Sequence, residues 1–182
     1  MDTPSGDDGA LDLDAAATLA RWLVDHGSDG VVIAGTTGES PTLTVSEQVD
    51  LFGAVRAAVD CPVIAGAGSN DTAAASAMHR AASEAGVDAI LSVTPYYNRP
   101  SQDGLYEHFK AAAASTDLPV MLYDIPVRTG RKIDTATLLR LFDDVANIVA
   151  VKDAAGNPAE TARLIAEAGD RVEVYSGDDA MT

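Results

Sequence analysis

The stretch NIVAVKDAAGN, residues 147–157, decides the fold of this chain. An apolar, β-favouring run at residues 148–151 leads directly into Lys152, and the chain then turns at residues 154–156. Burial lowers the pKa of a lysine, because desolvation disfavours the charged amine, and a neutral amine can form a Schiff base with a carbonyl compound. The stretch therefore predicts a buried strand that ends in a nucleophilic lysine.

A structural role is the alternative for Lys152. Its amine could extend past the strand end into water or pair with Asp153, although the next residue of an extended strand should point to the opposite face. The two other lysines of the chain, Lys110 and Lys132, lie among polar neighbours. Lys152 is thus the lysine whose surroundings favour Schiff-base chemistry.

The composition indicates a single globular domain over residues 1–182. Hydrophobic residues make up 47% and charged residues 22% of the chain, which is sufficient for a core. No apolar run is long enough to span a membrane, and the acidic N-terminus lacks the features of a signal peptide, so we expect a cytoplasmic protein. The single Cys61 excludes an internal disulfide and, without partner ligands, does not favour a metal site.

The charge of the chain is strongly acidic. Twelve basic and 28 acidic residues give a formal net charge of -16, which argues against nucleic-acid binding through phosphate contacts. The acidic residues are dispersed and lysine is scarce, a pattern that fits a halophilic cytoplasm in which salt screens the self-repulsion of the surface. An ordinary acidic bacterial enzyme is the alternative.

Strands and helices alternate along the chain at about thirty residues per unit, as in a parallel sheet with right-handed crossovers. A first helix starts near Leu11, with Ala15, Leu19, Trp22 and Leu23 at helical spacing, and Thr44 with Glu47 predicts a capping box for the second. Further helices are predicted at residues 72–85, 104–114, 135–142 and 158–168. Strands are predicted at GVVIAG (30–35), CPVIAGAGSN (61–70), VDAILSVTPYYN (87–98), LPVMLYDIP (118–126), NIVAVKDAAGN (147–157) and VEVYSGDD (172–179).

Two folds share this alternation, the (β/α)8 TIM barrel and the open doubly wound sheet. No G-x-G-x-x-G motif follows the first strand, so a dinucleotide site is not supported. Polar residues follow nearly every strand at regular spacing, which favours the barrel, whose active site gathers at the carboxyl ends of the strands.

The polar residues at this rim could together serve a lysine imine. Thr36 and Thr37 could offer hydroxyl and backbone N–H groups to a carboxylate, or could only cap a helix. Tyr123 could act as a general acid and base, or could be a core residue with one hydrogen bond. Arg128 could bind a carboxylate with two hydrogen bonds, or lie on the surface, and Tyr97 could be only a rim aromatic. His26, His79 and His108 fall on helices away from the strand ends.

Five motifs carry a resemblance to a known family, over essentially the whole chain: GTTGES (35–40), TPYYNRPSQDGLYEHF (94–109), LYDIPVRTG (122–130), VKDAAGN (151–157) and SGDD (176–179). They resemble the dihydrodipicolinate (4-hydroxy-tetrahydrodipicolinate) synthases, in the class I aldolase and N-acetylneuraminate lyase superfamily. The resemblance implies a cytoplasmic homotetramer that condenses pyruvate with aspartate semialdehyde in lysine and diaminopimelate synthesis, without a metal or an organic cofactor.

The resemblance also implies roles for individual residues. Lys152 would form the imine with pyruvate, Tyr123 would move protons to and from it, and Thr37 would link Tyr123 to Tyr97, which reaches into a neighbouring subunit. Thr36 and Thr37 would hold the pyruvate carboxylate. Arg128 would hold the carboxylate of aspartate semialdehyde, and Gly177 would contribute a backbone contact near pyruvate.

The chain departs from the family pattern at both ends and at one site residue. Most of the first barrel strand, the last strand and the C-terminal helices are missing, which leaves about six of eight βα units. A truncated gene or partial record, a fragment completed by another chain and an independently stable open sheet are the explanations, and the first is favoured. Asp124 follows the tyrosine where the synthases more commonly have Asn, so a 2-keto-3-deoxy sugar-acid aldolase of the same superfamily is an alternative, as is an inactive remnant.

Overall fold

A computed structural model describes residues 1–181 of the chain. Helices and strands alternate as predicted. Their bounds are α1 Leu13–Asp25, β1 Val31–Ile33, α2 Val45–Ala58, β2 Val63–Gly66, α3 Thr72–Glu84, β3 Ala89–Val93, α4 Gln102–Ala113, β4 Val120–Asp124, α5 Pro126–Thr129, α6 Thr135–Asp144, β5 Ile148–Asp153, α7 Pro158–Ala168 and β6 Glu173–Ser176. Short 3-10 helices lie at Ser40–Thr42, Gly169–Arg171 and Asp179–Met181.

Local side-chain signals fix where the helices begin. The predicted capping box of α2 is present, with the Thr44 hydroxyl accepting from the Glu47 N–H and the Glu47 carboxylate accepting from the Thr44 N–H. Asp12, Asp71 and Ser101 accept in the same way at the starts of α1, α3 and α4. None of the helices in the described part of the chain has the length and apolar character needed to cross a lipid bilayer.

The strands form one parallel sheet in sequential order, β1-β2-β3-β4-β5-β6. A doubly wound sheet would reverse the order at a switch point, so the sequential order supports the predicted barrel. The six strands make a curled, open half-barrel with two unpaired edges, at β1 and β6. All carboxyl ends lie at one rim, because all the pairings are parallel.

Two apolar clusters lie on the two faces of the sheet. The larger one fills the layer between the sheet and the helices, with Phe52, Phe109, Ile33 and Leu122 fully or almost fully buried. The smaller one lies on the inner, concave face and consists of Leu91, Tyr123 and Ile125 with partly buried neighbours from the strands. The inner face is therefore only partly covered, as expected for a barrel that is not closed.

The apolar face predicted for α1 is wrong in one respect. Ala16 and Ala20 are fully buried, whereas Trp22 is 54% exposed and stacks on His26 with the ring centroids 4.1 Å apart. The helix packs mainly against α2 and β1, and Trp22 lies outside this contact on the exposed side. Val149, Ile165 and Tyr175, near the β6 edge, are also exposed, so apolar side chains lie uncovered beside this open edge.

Candidate functional site

Lys152 and Tyr123 are register partners at the carboxyl ends of β5 and β4. The amine Nζ lies 4.7 Å from the centroid of the tyrosine ring, in reach of a cation–π contact. Tyr123 is buried and Lys152 is half-buried, so the strand that carries the lysine is less enclosed than predicted. The sheet itself brings together the two residues that the sequence singled out.

The surroundings of Lys152 favour the neutral amine. Burial lowers its pKa below the ordinary lysine value, and the negative charge of Asp179 opposes this shift only in part. Asp153 does not pair with it, because its carboxylate accepts hydrogen bonds from the Thr161 hydroxyl at 2.6 Å and from the Ala155 N–H at 2.8 Å. The prediction that Asp153 points to the opposite face is confirmed.

Tyr123 is held through its backbone. Its carbonyl oxygen accepts from both the N–H and the hydroxyl of Thr94, at 3.0 and 2.9 Å. Thr94 is fully buried at the end of β3, so this double contact ties the end of β4 to the neighbouring strand. Thr94 is the first residue of one of the family motifs, and sequence reasoning assigned it no role.

The turn that carries Thr36 and Thr37 has a strained backbone. Ala34 and Glu39, on either side of it, have φ angles of 48° and 51°, a left-handed region that residues with a Cβ rarely adopt. Thr36 and Thr37 are exposed at the top of the turn. Thr36 and Thr37 line a cavity on the inner face of the sheet, where a ligand could bind.

An inner cavity of about 60 Å³ brings four predicted site residues together. It is lined by Thr36, Thr37, Tyr123 and Lys152, together with Met1, Val32, Gly35, Gly38 and Leu91. A volume of this size accommodates a few heavy atoms, which fits a very small ligand. Hydroxyls, a phenol and an amine of lowered pKa therefore face one small space.

An outer cavity of about 240 Å³ shares Thr36 and Tyr123 with the inner one. Arg128, on the short helix α5, lies on its wall, as expected for a residue at the entrance. Tyr96, which the sequence analysis did not single out, lines the same cavity. A guanidinium facing a cavity is suited to bind a carboxylate.

Gly177 packs directly against the lysine side chain. A Cβ built on it would lie 3.2 Å from Lys152 Cε and 2.9 Å from Ala154 Cβ, so a larger residue would displace the lysine stem. Its N–H donates to the Asp153 carbonyl at 2.7 Å, which continues the β5–β6 contact past the end of β6. The backbone contact to a ligand that was predicted for Gly177 stays a prediction.

Tyr97 lies apart from the other predicted site residues. It has a φ of 74°, its side chain is 90% exposed, and it is not among the residues that line either cavity. A large aromatic side chain held in solvent by an unusual backbone conformation fits the predicted contact with a neighbouring subunit. Over residues 1–181, no group of three or more His, Cys, Asp and Glu side chains is placed to hold a metal ion.

The sequential parallel strands and the inward-facing Lys152 define a barrel protein of the (β/α)8 class with a lysine-centred site, in the form of an open half-barrel. The chain belongs to the dihydrodipicolinate synthetase family, whose family model matches residues 1–182. The predicted family and the predicted incomplete barrel are both confirmed.

Individual relatives agree with this assignment. The 4-hydroxy-tetrahydrodipicolinate synthase of Moorella thermoacetica is 55% identical over 184 residues, which cover 100% of this chain and 63% of that protein. The dihydrodipicolinate synthase structure from Bacillus anthracis has a TM-score of 0.97 and 48% identity, over 100% of this chain and 63% of that chain. A pyruvate complex of the chloride-inhibited enzyme from Acinetobacter baumannii has a TM-score of 0.95 and 40% identity, over 98% and 62%. The chain thus spans less than two thirds of the length of these relatives.

Proposed function

We propose that this chain carries the Schiff-base site of a lyase that condenses pyruvate with L-aspartate 4-semialdehyde to 4-hydroxy-tetrahydrodipicolinate, in lysine and diaminopimelate synthesis. The observation that supports it most is the inner cavity, in which Lys152, with a pKa lowered by burial, faces Tyr123, Thr36 and Thr37. The names of the relatives agree, and one related structure is described as a complex with pyruvate.

The first half of the reaction takes place at Lys152. Its neutral amine adds to the keto carbon of pyruvate and water leaves, which gives a protonated imine. Thr36 and Thr37 hold the pyruvate carboxylate through hydroxyl and N–H groups, and Tyr123 moves the protons that addition and dehydration require. The iminium then withdraws electrons, so that C3 loses a proton and becomes the nucleophilic carbon of an enamine.

The second half joins the two substrates. C3 of the enamine attacks the aldehyde carbon of the semialdehyde, and Arg128 at the outer cavity binds the carboxylate of that substrate. The substrate amine then adds to the imine carbon, closes the ring and releases Lys152 as a free amine. The lysine and the tyrosine finish in their starting states, so no external oxidant or reductant is needed.

Trapping with borohydride tests the first half. The 182-residue chain is incubated with pyruvate and sodium borohydride, and the modified peptide is located by mass spectrometry. We expect the reduced adduct on Lys152, loss of the adduct in Lys152→Arg and an unchanged yield in Lys110→Arg, because Lys110 is an exposed residue of α4. No adduct in the unmodified chain would support the inactive remnant and refute the proposal for this chain.

The second substrate is tested separately. Aspartate semialdehyde and sugar-derived aldehydes are each added to the pyruvate-loaded chain, and consumption of pyruvate is measured. Arg128 in the outer cavity favours the acidic semialdehyde. Consumption with the sugar-derived aldehyde alone would assign the chain to the 2-keto-3-deoxy sugar-acid aldolases instead.

We further propose that the site operates in a homo-oligomer, a tetramer, in a halophilic cytoplasm. The exposed Tyr97 supports a subunit contact, and the net charge of -16 supports adaptation to salt. Thermal unfolding in dilute buffer and in multimolar KCl tests the second point, with a higher melting temperature expected in KCl. Equal stability in the two solutions would refute the halophilic assignment.

A further inference from the structure

A buried carboxylate lies directly behind the candidate site. Asp124 follows Tyr123 at the end of β4, is only 2% exposed and has Asp153 of β5 as its register partner. Successive side chains of a strand point to opposite faces. Tyr123 and Lys152 therefore face the inner cavity, whereas the two aspartates face the helix layer, where the proposed reaction does not use them.

The contacts of Asp124 close a loop. Its Oδ1 accepts from the Ile133 N–H at 3.2 Å, and its Oδ2 lies 3.6 Å from the Lys132 Nζ. Residues 125–132, which we call the arginine loop, begin immediately after Asp124; Lys132 is the last of them, and Ile133 follows directly. Arg128, on the wall of the outer cavity, belongs to this loop, so one carboxylate joins the beginning and the end of the segment that carries the guanidinium.

Opposing effects act on the pKa of Asp124. Burial raises the pKa of its carboxyl to about 6 and the nearby Asp153 acts in the same direction, whereas the Ile133 N–H and the Lys132 ammonium lower it. Lys132 also lies 2.9 Å from the Glu160 carboxylate on α7. Although burial alone lowers the pKa of Lys132, Glu160 and Asp124 raise it above its ordinary value, so this counter-ion remains charged.

We propose that Asp124 is a positioning residue, which holds the arginine loop in place from behind the sheet and so sets the affinity of Arg128 for a substrate carboxylate. What Arg128 binds rests on the proposed function, but how the loop is held does not. A purely structural role for Asp124 would instead lower the stability of the whole sheet and affect all parts of the site equally.

Hydrogen exchange separates these two roles. We compare Asp124→Asn, which keeps the shape and can still accept from Ile133 but loses the charge, with the unmodified 182-residue chain at neutral pH. Loss of a hydrogen bond to a charged group changes the equilibrium constant for opening of the loop by about tenfold. We therefore expect the amides of the arginine loop to exchange about tenfold faster. Exchange in β2 and β3 should stay unchanged. Lys132→Met removes the counter-ion and provides a second variant with the same expected effect, in case Asp124→Asn folds poorly.

Asp88 offers a control at the amino-terminal rim of the sheet, directly before β3. Its carboxylate accepts from the Val63 N–H at 2.8 Å and pairs with Arg56 at 3.4 Å, so it also joins a backbone amide to a cation. Asp88→Asn should leave exchange in the arginine loop unchanged. Acceleration of the loop by Asp88→Asn, or no acceleration by Asp124→Asn and Lys132→Met, would refute the proposal.

The pH dependence of exchange in the arginine loop provides a further test, because a purely structural role of Asp124 predicts no such dependence. Local opening of the arginine loop removes the Ile133 N–H and the Lys132 ammonium, which both lower the pKa of Asp124, while the carboxyl on β4 stays buried, so its pKa is higher in the open loop than the value of about 6 in the closed one. After correction for intrinsic rates, exchange in the arginine loop of the unmodified chain should therefore rise as the pH falls toward about 6; global unfolding, which hydrates the carboxyl, has the opposite dependence on Asp124. Asp124→Asn should show a flat profile. A profile that is equally steep in this variant would show that another group controls the loop.

Substrate measurements link the loop to the site. Asp124→Asn should still form the borohydride-trapped pyruvate adduct, while the KM for the acidic aldehyde rises and kcat changes little. A chain without any pyruvate adduct would refute the proposed function and leave the exchange result to decide how the loop is held. A normal adduct with an unaltered loop would refute this inference alone.

Discussion

The regular strands β4 and β5 hold the side chains of Tyr123 and Lys152 next to each other. The phenol belongs to a buried residue that Thr94 holds through its carbonyl oxygen, and the amine lies over the tyrosine ring. Neither group needs a flexible loop to reach the other. Proton transfer during formation of the imine, and with it the loss of a proton from C3 of the bound pyruvate, should therefore respond strongly to the loss of a single hydroxyl.

Replacing Tyr123 with Phe tests this dependence. The ring and its packing remain, but the proton carrier is lost, so we expect exchange of the C3 protons of pyruvate to slow by about 10²–10⁴-fold, the usual contribution of a general acid or base. Exchange into deuterated water is followed by NMR. Tyr106→Phe is the control, because the Tyr106 hydroxyl donates to Asp144 at 2.8 Å in the helix layer. Equal rates in Tyr123→Phe and the unmodified chain would remove Tyr123 from the mechanism.

Among the elements, the α3–α4 contact contains an unusual pair of histidines. His79 is fully buried and its Nδ1 lies 3.0 Å from the Ala112 carbonyl oxygen, and His108 contacts the Thr72 hydroxyl at 2.8 Å. Burial lowers the pKa of His79 to about 4, and it also lowers the pKa of His108. At neutral pH, the contact between α3 and α4 therefore contains two uncharged imidazole rings.

We expect this contact to weaken in acid. The folded pKa of His79 is about 4 and lies below the unfolded value of 6.5. Its contribution to stability is therefore complete above the unfolded pKa and is lost as the pH falls toward the folded pKa. The free energy of unfolding should fall by on the order of 2–3 kcal/mol over this range. Asp124, with a raised pKa, acts in the opposite direction, so only a comparison between variants isolates His79.

The measurement is urea unfolding at neutral pH and near pH 4.5, a value inside the range in which His79 takes up its proton. His79→Gln keeps an amide donor for the Ala112 carbonyl but cannot take up the proton, so its stability should depend less on pH than that of the unmodified chain. His26→Gln, at an exposed histidine, should show the unmodified dependence. The prediction would be contradicted if the free energy of unfolding changed by the same amount between the two pH values in His79→Gln and in the unmodified chain.

Local patterns predicted most elements, because a strand or a helix start depends on neighbouring residues. The box formed by Thr44 and Glu47, and the apolar run before Lys152, need no distant partner. Trp22 was placed on the buried face of α1 because periodicity identifies an apolar face but not whether an element covers it. The short helix α5 was not predicted at all, since four residues, Pro126–Thr129, show no periodicity.

The candidate site was predictable to the extent that parallel strands bring their ends together. As the rim argument required, each of five predicted residues lines at least one of the two cavities: Lys152, Tyr123, Thr36, Thr37 and Arg128. Contacts across long separations were not predictable in this way. Lys132 was classed only as a lysine among polar residues, because its contacts with Asp124 and Glu160 exist only once β4, α6 and α7 have packed together.

At the scale of the whole molecule, the sheet has two unpaired edges, at β1 and β6. Exposed backbone N–H and C=O groups at a strand edge pair readily with another chain. Tyr175 on β6 and Val149 on β5 are 47% and 38% exposed, and they add apolar area beside one edge. The electrostatic repulsion between acidic surfaces opposes contact between chains, and salt weakens this repulsion.

We therefore expect the isolated 182-residue chain to self-associate, and to do so more in high salt. Size-exclusion chromatography with light scattering measures the mass. Tyr175→Lys places a charge at the β6 edge and should reduce the association, whereas Val45→Lys changes an exposed apolar residue of helix α2, outside both edge strands, and should not. A monodisperse monomer that unfolds cooperatively at all salt concentrations would contradict the prediction.

The strained turn around Thr36 and Thr37 has a consequence for the order in which the site is lost on heating. Ala34 and Glu39 keep their positive φ angles only while the surrounding chain enforces them, at a cost of about 1–3 kcal/mol each. Lys152 belongs instead to a regular strand. The turn should unfold at a lower temperature than the sheet. Between these two temperatures, Lys152 would still react with a carbonyl compound, but the turn would no longer bind a carboxylate. In that interval, borohydride trapping should no longer prefer pyruvate over a neutral ketone, and a preference that persists until the sheet unfolds would show that the turn is as stable as the strands.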